Sequence, residues 1–348
     1  ASIPRIPTTT IQNASSTLVV VNTVATTSAQ TPIIPVLKKV IPPAPKPTSK
    51  PAPTTPLQAT PISAPTSLLP SESASLDASA VTLRAALVNI ICYAPAGSGL
   101  RSISGSGVIV DPKGIILTNA HIAQNFLLAD RNVSCTIRAG SPAIDTYKAS
   151  LIYISPAWIQ ANANILTQTN PSGTGEYDFA FLAITKSATS VALPSSFPFI
   201  PLATAPPPIG TPVVIASYGA QFLESNQIQS FLFPTIVFGS VKDVFTFAAT
   251  TIDVLTLGGS AAAQEGSSGG GVADGNGKLV GTITTSTTNG PTDTRKLDAI
   301  TASYIRAEYA SETGRALDLL LTEATSTSVA NFAPQIPALE SILTANLK

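Results

Sequence analysis

Short apolar runs, separated by glycine, asparagine, aspartate and proline, follow one another along the chain from about Leu83. Runs of this length between turn residues are typical of β-strands. The first set of predicted strands is Ala86–Tyr93, Ser102–Val110, Ile115–Thr118, Val133–Arg138, Ala149–Ile154 and Phe179–Ile184. After the proline-rich connection Pro194–Pro208, the second set is Pro212–Ser217, Thr235–Phe238, Phe245–Ile252, Gly271–Ala273 and Leu279–Ile283. Many short strands predict an all-β barrel or sandwich pair, and the connection between the two sets favours two barrels.

Helical periodicity is strong only near the C-terminus, over Asp298–Ala310 and Glu312–Leu321. Proline recurs from Pro42 to Pro70 and prevents helices and sheet ladders from propagating, so residues 1–78 are expected to form a disordered spacer or stalk. We therefore expect a folded domain over 79–323, followed by a loose C-terminal tail over 324–348 with one short helix after Pro337. Within that domain, the expected parts are barrel one at about 83–190, barrel two at about 209–292 and the helices at about 298–322.

Composition and charge exclude several classes of protein. The 19 basic and 19 acidic residues cancel, so no overall charge favours nucleic acid. No apolar run approaches the roughly 20 residues of a membrane-spanning helix. Two cysteines and one histidine cannot form a multi-disulfide scaffold, a four-cysteine zinc site or a histidine-rich metal centre, and we expect no metal or cofactor. The chain begins at Ala1 and has no Met, which we interpret as a processed product that has lost a signal peptide or an N-terminal anchor.

Three residues separated along the chain could act together in catalysis. His121 is the only histidine and could act as a base near neutral pH. Ser268 lies in a glycine-rich turn, where backbone amides can point at one spot. Asp178 begins an apolar strand, where a buried carboxylate needs a partner. Taken singly, His121 also fits a structural histidine, Ser268 a flexible glycine-rich loop and Asp178 a solvated acid. The spacing around Gly277-Lys278 excludes a phosphate-binding loop. The order His, Asp, Ser is one in which a catalytic triad is known.

Three motifs carry a resemblance to a known family. The run 104–121, SGSGVIVDPKGIILTNAH, resembles the histidine segment of trypsin-like serine proteases, and is most similar to the bacterial HtrA/Deg branch. The run 177–184, YDFAFLAI, is similar to the family's aspartate strand, and residues 260–270 are similar to its serine loop. The hairpin at 275–283 is similar to the one that follows that loop, so the resemblance covers about residues 83–310. It implies two antiparallel six-stranded barrels with the triad in the cleft between them.

The resemblance also assigns roles to single residues. Ser268 would be the nucleophile, His121 the general base and Asp178 the residue that orients the histidine ring. The amides of Gly266 and Ser268 would form the oxyanion hole. Ser267 stands where the family usually has Asn or Asp, so the activation switch of trypsin-like zymogens should be absent, and Gly271 replaces a frequent proline. Too few residues follow Glu308 for the PDZ domain usual in HtrA/Deg proteases.

The resemblance also gives an expectation for specificity, and the two cysteines give one for a disulfide. The stretch Ser260–Ala263 would line the primary pocket without any charge, so a small or aliphatic residue is expected before the scissile bond and Lys or Arg is not. The expected substrate-binding residues are Ala262, Ala263, Thr284 and Thr285, with the strand Thr282–Ser286 pairing with substrate backbone. Cys92 and Cys135 both fall on strands of the first barrel, where we favour a disulfide over two buried thiols.

The leading hypothesis is an extracytoplasmic serine endopeptidase of bacterial type, secreted or associated with the cell envelope, that acts on protein or peptide substrates. One alternative is an inactive protease fold that serves as a binding or structural module. Another is an esterase with the same nucleophile. The orientation of the Gly266 amide would distinguish the inactive fold from the active enzyme. Cleavage of a protein substrate would distinguish the endopeptidase from the esterase.

Overall fold

The computed structural model describes residues 38–39, 72–168, 173–247, 251–286 and 289–347. Its strands are β1 Lys38–Lys39, β2 Leu87–Tyr93, β3 Ile103–Asp111, β4 Ile115–Thr118, β5 Ser134–Ala139, β6 Ile144–Ile154, β7 Ala180–Ser187, β8 Pro212–Ser217, β9 Thr235–Ser240, β10 Asp243–Thr246, β11 Val254–Thr256, β12 Gly271–Asp274, β13 Leu279–Ser286 and β14 Leu297–Thr301. Its α-helices are α1 Glu72–Ala86, α2 Ala120–Ala123, α3 Pro156–Ala161, α4 Ser225–Ser230, α5 Ala302–Thr313, α6 Leu317–Thr322, α7 Thr325–Phe332 and α8 Ile336–Thr344.

The first six strands after α1 close into an antiparallel barrel in the order β2-β3-β4-β7-β6-β5. The second sheet curls through eight strands in the order β1-β10-β11-β14-β13-β12-β8-β9, with all of its neighbours antiparallel. The mostly β fold with two strand sets is thereby confirmed. The second sheet has eight strands, where six were expected and five were located from the sequence. Residues 38–39 add to β10, β10 and β11 replace the one predicted strand Phe245–Ile252, and β14 takes residues that the helical pattern had assigned to a helix.

Strand β14 corrects the predicted start of the C-terminal helix at Asp298. Residues 297–301 pair with both β11 and β13, and helix α5 begins only after Thr301. The hydroxyl of Thr301 accepts a hydrogen bond from the Tyr304 amide and so caps the helix. Two-sided pairing in the sheet therefore outweighs the helical spacing of the apolar residues at this point.

Helix α1 begins at Glu72, inside the segment that was predicted to be a tail to residue 78, and the remainder of that predicted tail, apart from residues 38–39, lies outside the described residues. Leu83 of this helix is fully buried. A Cβ at Gly271 would lie only 2.8 Å from Leu83 Cδ1 and 2.9 Å from Val108 Cγ2. The glycine therefore allows α1 and the first barrel to pack closely on β12.

The C-terminal segment corrects the expectation of a loose tail. Helices α7 and α8 bury Phe332, Leu339 and Leu343, and Glu340 forms an ion pair with Arg131 at 3.5 Å. Pro337 lies in the first turn of α8, where its missing N–H costs nothing. None of the helices in the described ranges is both long and apolar enough to cross a membrane.

The favoured disulfide is present between Cys92 and Cys135. The two cysteines lie directly opposite each other on β2 and β5, so the bond joins neighbouring strands of the first barrel. It spans 43 residues of sequence and therefore closes a loop that contains β3 and β4.

Replacing both cysteines by alanine should lower the free energy of unfolding by about 2–4 kcal/mol, because a long closed loop loses its constraint in the unfolded chain. Urea denaturation of the oxidised wild type and the double variant measures this difference. Reducing the wild type should reproduce the loss. Equal midpoints and slopes for the oxidised protein and the variant would contradict the expectation.

Candidate active site

The short helix α2 positions His121 immediately after strand β4 of the first barrel. The His121 ring is joined to Asp178, with Nδ1 2.7 Å from Oδ2. The His121 backbone amide also donates to the other carboxylate oxygen of Asp178, at 2.9 Å. Because a carboxylate only accepts hydrogen bonds, Nδ1 carries the ring proton and Nε2 is left as the basic nitrogen of the neutral ring.

Asp178 is buried in the turn just before β7 and its carboxylate accepts three hydrogen bonds. Besides the two bonds from His121, Oδ2 accepts a hydrogen bond from Thr284 Oγ1 at 2.8 Å. Its carbonyl accepts from Asn119 Nδ2 at 2.9 Å, which ties the turn before β7 to the turn before α2. These donors compensate a carboxylate that would otherwise be costly to bury.

The pKa of His121 lies above its ordinary value of 6.5. Burial lowers this pKa, but the negative charge of Asp178 and the hydrogen bond to its carboxylate together raise it further. The side chain remains 27% exposed, so one side of the ring stays open to solvent. Because its pKa is raised and one side is open, the His121 ring can accept a proton from a group that approaches from solvent.

The loop that carries Ser268 is anchored on the first barrel by Ser106 of β3. The Ser106 amide donates to the Ser268 carbonyl at 2.7 Å, and the Ser106 hydroxyl donates to the Gly266 carbonyl at 2.8 Å. On the other side, the Gly269 amide donates to the Ile283 carbonyl of β13 at 2.9 Å. The loop is thus fixed between the barrel that carries His121 and the strand that carries Thr284.

Hydrogen bonds to their carbonyl oxygens orient two peptide groups of this loop, 265–266 and 267–268. The Glu265 carbonyl accepts from the Ala220 amide at 2.8 Å, and the Ser267 carbonyl accepts from the Gly270 amide at 2.9 Å. Because the C=O and N–H of a trans peptide point in opposite directions, the amides of Gly266 and Ser268 point away from those partners. Within the described residues, neither amide donates a hydrogen bond. Both are therefore available to an outside acceptor.

Gly266 has a φ of +89°, which favours glycine, and a Cβ there would lie 2.7 Å from the Tyr218 carbonyl oxygen. Ser267, where the family usually has Asn or Asp, is buried and its hydroxyl accepts from Ser217 Oγ at 3.0 Å. A neutral hydroxyl pair thus occupies this position. The turn holds its conformation without a carboxylate.

The Ser268 side chain is partly exposed at the surface of this loop. Across the described parts of the chain, its hydroxyl makes no hydrogen bond to the His121 ring or to any other group. The structure therefore joins His121 to Asp178 and brings the Ser268 loop beside them through Ser106 and β13. It does not close the third contact of a triad.

The predicted substrate-binding residues occupy different environments. Ala262 and Ala263 are fully buried, and the Ala263 carbonyl accepts from Arg295 Nη1 at 2.7 Å, so neither methyl group is exposed in a pocket. Thr284 directs its hydroxyl to Asp178 rather than outward. The side chain of Thr285 lies outside the described residues.

The sequence analysis missed the roles of two contributors to the site, Ser106 and Thr284. Ser106 was part of a quoted motif but received no role, although a serine within an otherwise apolar buried strand is a signal for a specific hydrogen bond. The contact of Thr284 with Asp178 spans 106 residues and has no local signal. Among the described residues, no group of three or more His, Cys, Asp and Glu side chains is placed to hold a metal ion.

The chain is similar to one protein family and to several solved structures. The model of the trypsin-like peptidase domain family matches residues 105–281, about half of the chain. No curated protein sequence matches the chain. Among solved structures, the active form of the Rv3671c protease from M. tuberculosis is 19% identical with a TM-score of 0.43, over 76% of this chain and 95% of that one. The serine endoprotease from Yersinia pestis is 24% identical with a TM-score of 0.43, over 68% of this chain and 67% of that one.

The family match covers most of the site and ends shortly before Thr284. It includes Ser106, His121, Asp178 and Ser268, the residues between which the site is assembled. The chain belongs to the trypsin-like peptidase domain family.

Proposed function

We propose that the protein is a serine endopeptidase in which Ser268, His121 and Asp178 form the catalytic triad. The observation that carries the proposal is the pair of bonds from His121 to the buried Asp178 carboxylate, 2.7 and 2.9 Å long. This arrangement leaves Nε2 as the base and holds the loop of the one candidate nucleophile beside it. Family membership supports a peptidase in general, and these residues make the proposal specific.

The proposed reaction passes through an acyl-enzyme. Ser268 Oγ attacks the scissile carbonyl while its proton moves to His121 Nε2, and that proton then passes to the leaving amine as the C–N bond breaks. Water next attacks the ester with the same histidine as base, which releases the acid and restores the serine. Asp178 stabilises the imidazolium that forms in each half. The unused amides of Gly266 and Ser268 would bind the oxyanion.

A second candidate is an inactive protease fold that binds a partner. It is favoured by one observation, the missing hydrogen bond between the His121 ring and the Ser268 hydroxyl in the described structure. Catalytic hydrogen bonds of this kind are often long without substrate and tighten in its presence. The active enzyme is therefore the better conclusion.

The disulfide and the peptidase domain suggest an extracytoplasmic protein. We extend the proposal to a secreted or envelope-associated enzyme of bacterial type, in which the proline-rich segment serves as a spacer. Because α1 and α7 pack on strands of the two sheets and α8 packs on α3, the proposed peptidase domain spans residues 72–347 instead of 79–323.

Replacing Ser268 or His121 by alanine should reduce kcat/KM for a protein or peptide substrate by about 10⁴-fold or more, since either change removes the nucleophile and base as a unit. A fluorophosphonate should label the wild type once, with the mass shift on the peptide that contains Ser268. Both variants should lose this label. The control is Ser98→Ala, which changes an exposed loop serine and should be labelled like the wild type.

Absence of labelling in folded wild type, or labelling that persists in Ser268→Ala, would contradict the triad and favour the inactive fold. Labelling together with ester hydrolysis but no cleavage of any protein or peptide would favour the esterase. Each result therefore selects one of the three hypotheses.

The acidic limb of the kcat/KM profile should lie above pH 6.5, because activity needs neutral His121 and the pKa of this residue is raised. Activity should rise with pH through that pKa. In Asp178→Asn the charge that raises the pKa is gone while burial remains, so the pKa should fall. As the chain has one histidine, NMR titration of its ring protons measures this directly.

Asp77→Asn changes an exposed carboxylate on α1 and is the matched control for this titration. It should leave the His121 pKa where it is in the wild type. A pKa that is the same in Asp178→Asn and the wild type would show that Asp178 does not set the protonation of the ring.

A further inference from the structure

Arg295 is a buried cation close to the serine loop, and it is 5% exposed. Its Nε donates to the Gly290 carbonyl at 2.9 Å. Its Nη1 donates to Ala263 O at 2.7 Å and to Gln221 Oε1 at 2.6 Å. All of these acceptors are neutral. Throughout the described ranges, Nη2 donates no hydrogen bond and no carboxylate lies within ion-pair distance of the guanidinium.

Arg138 provides an internal comparison, since it is the other buried arginine of the described residues. Arg138 donates to the carbonyls of Ala143, Ile228 and Gln229 and also has the Asp145 carboxylate at 3.4 Å. A buried charge is costly unless it is paired, and arginine is well suited to a carboxylate partner. Arg295 lacks the partner that Arg138 has.

The position of Arg295 relates it to the substrate. Ala263 lies five residues before Ser268 in the same loop. On the other side, Arg295 lies two residues before Leu297, which pairs with Ser286 at the end of β13. Arg295 therefore lies between the serine loop and the end of β13. The Phe222 ring covers one face of the guanidinium, with its centroid 5.6 Å from Cζ.

The end of β13 has an open backbone edge. Strand β12 pairs with β13 only as far as the pair Gly271 and Thr282, so residues 284–286 have no strand partner on that side among the described residues. An extended substrate can add there as a strand. The side chain that precedes the scissile bond would then enter the space between β13 and the serine loop, where Arg295 lies.

We propose that Arg295 determines specificity by pairing with an acidic side chain, Asp or Glu, at the substrate residue that precedes the scissile bond. The inference rests on the proposed endopeptidase function. The substrate carboxylate would accept from Nη2 and supply the missing counter-charge through a charge-assisted hydrogen bond. This replaces the sequence-based expectation of a small or aliphatic residue, which considered only the uncharged stretch Ser260–Ala263.

The test compares peptide coumarylamides that are identical except for Glu, Gln, Leu or Lys before the scissile bond. Glu and Gln have the same shape, so the ratio of their kcat/KM values isolates the charge. The wild type should favour Glu over Gln by at least about tenfold, as expected for a hydrogen bond to a charged group. Arg295→Gln should reduce this ratio to about one or below. Arg315→Gln, a half-exposed arginine paired with Glu323, should keep the wild-type ratio.

Fluorophosphonate labelling of each protein separates the two proposals. Labelled wild type that cleaves Gln, Leu or Lys peptides as well as Glu peptides would overturn the role of Arg295 and leave the endopeptidase intact. A Glu preference that persists in labelled Arg295→Gln would also overturn it. Wild type without labelling or cleavage would overturn the proposed function itself. Should Arg295→Gln not fold, the wild-type Glu to Gln ratio alone decides.

Discussion

The hydrogen bonds of Ser106 fix the position of the serine loop relative to the first barrel. Its amide and hydroxyl donate to the carbonyls of Ser268 and Gly266, while its hydroxyl accepts from the Tyr218 amide at 2.8 Å. Its own carbonyl accepts from Thr118 Oγ1 at 2.7 Å, three residues before His121. One buried residue of β3 thus connects the segment that carries His121 with the loop that carries Ser268. The separation of those two groups depends on this residue more than on any contact between them.

Close packing around Ser106 explains the glycine run after Ser268. A Cβ at Gly269 would collide with the Ser106 carbonyl oxygen, and a Cβ at Gly270 would lie 2.6 Å from the carbonyl oxygen of Ala216. The φ of Gly269 is +83°, so this position also needs the left-handed region. The run that could be interpreted from sequence as a flexible loop is therefore required by packing. The backbone of the serine loop is in direct contact with β3 and β8.

Local patterns predicted the strands of the first barrel, and local motifs that resemble a known family supplied the candidate residues of the site, because each depends on neighbours in sequence. The short apolar run in β3 and the motif around His121 are examples. Contacts between distant segments had no such signal. Thr284 reaches Asp178 across 106 residues, and Arg295 reaches Ala263 across 32. Likewise, the apolar residues of α7 and α8 form a packed face only when β6 and α3 lie beneath them.

Two buried charges near the site, Asp178 and Arg295, are compensated in different ways, and the proposed reaction explains the difference. Asp178 is a buried anion that already has donors on both oxygens, so a positive His121 can form beside it without reorganisation. Arg295 is a buried cation with only neutral acceptors in the described structure. Donors of the protein itself compensate the Asp178 carboxylate, whereas under the proposed specificity the Arg295 guanidinium gains a counter-charge only when an acidic substrate side chain binds beside it. In the proposed enzyme, the same fold therefore keeps the His121–Asp178 pair constant while Arg295 selects the substrate.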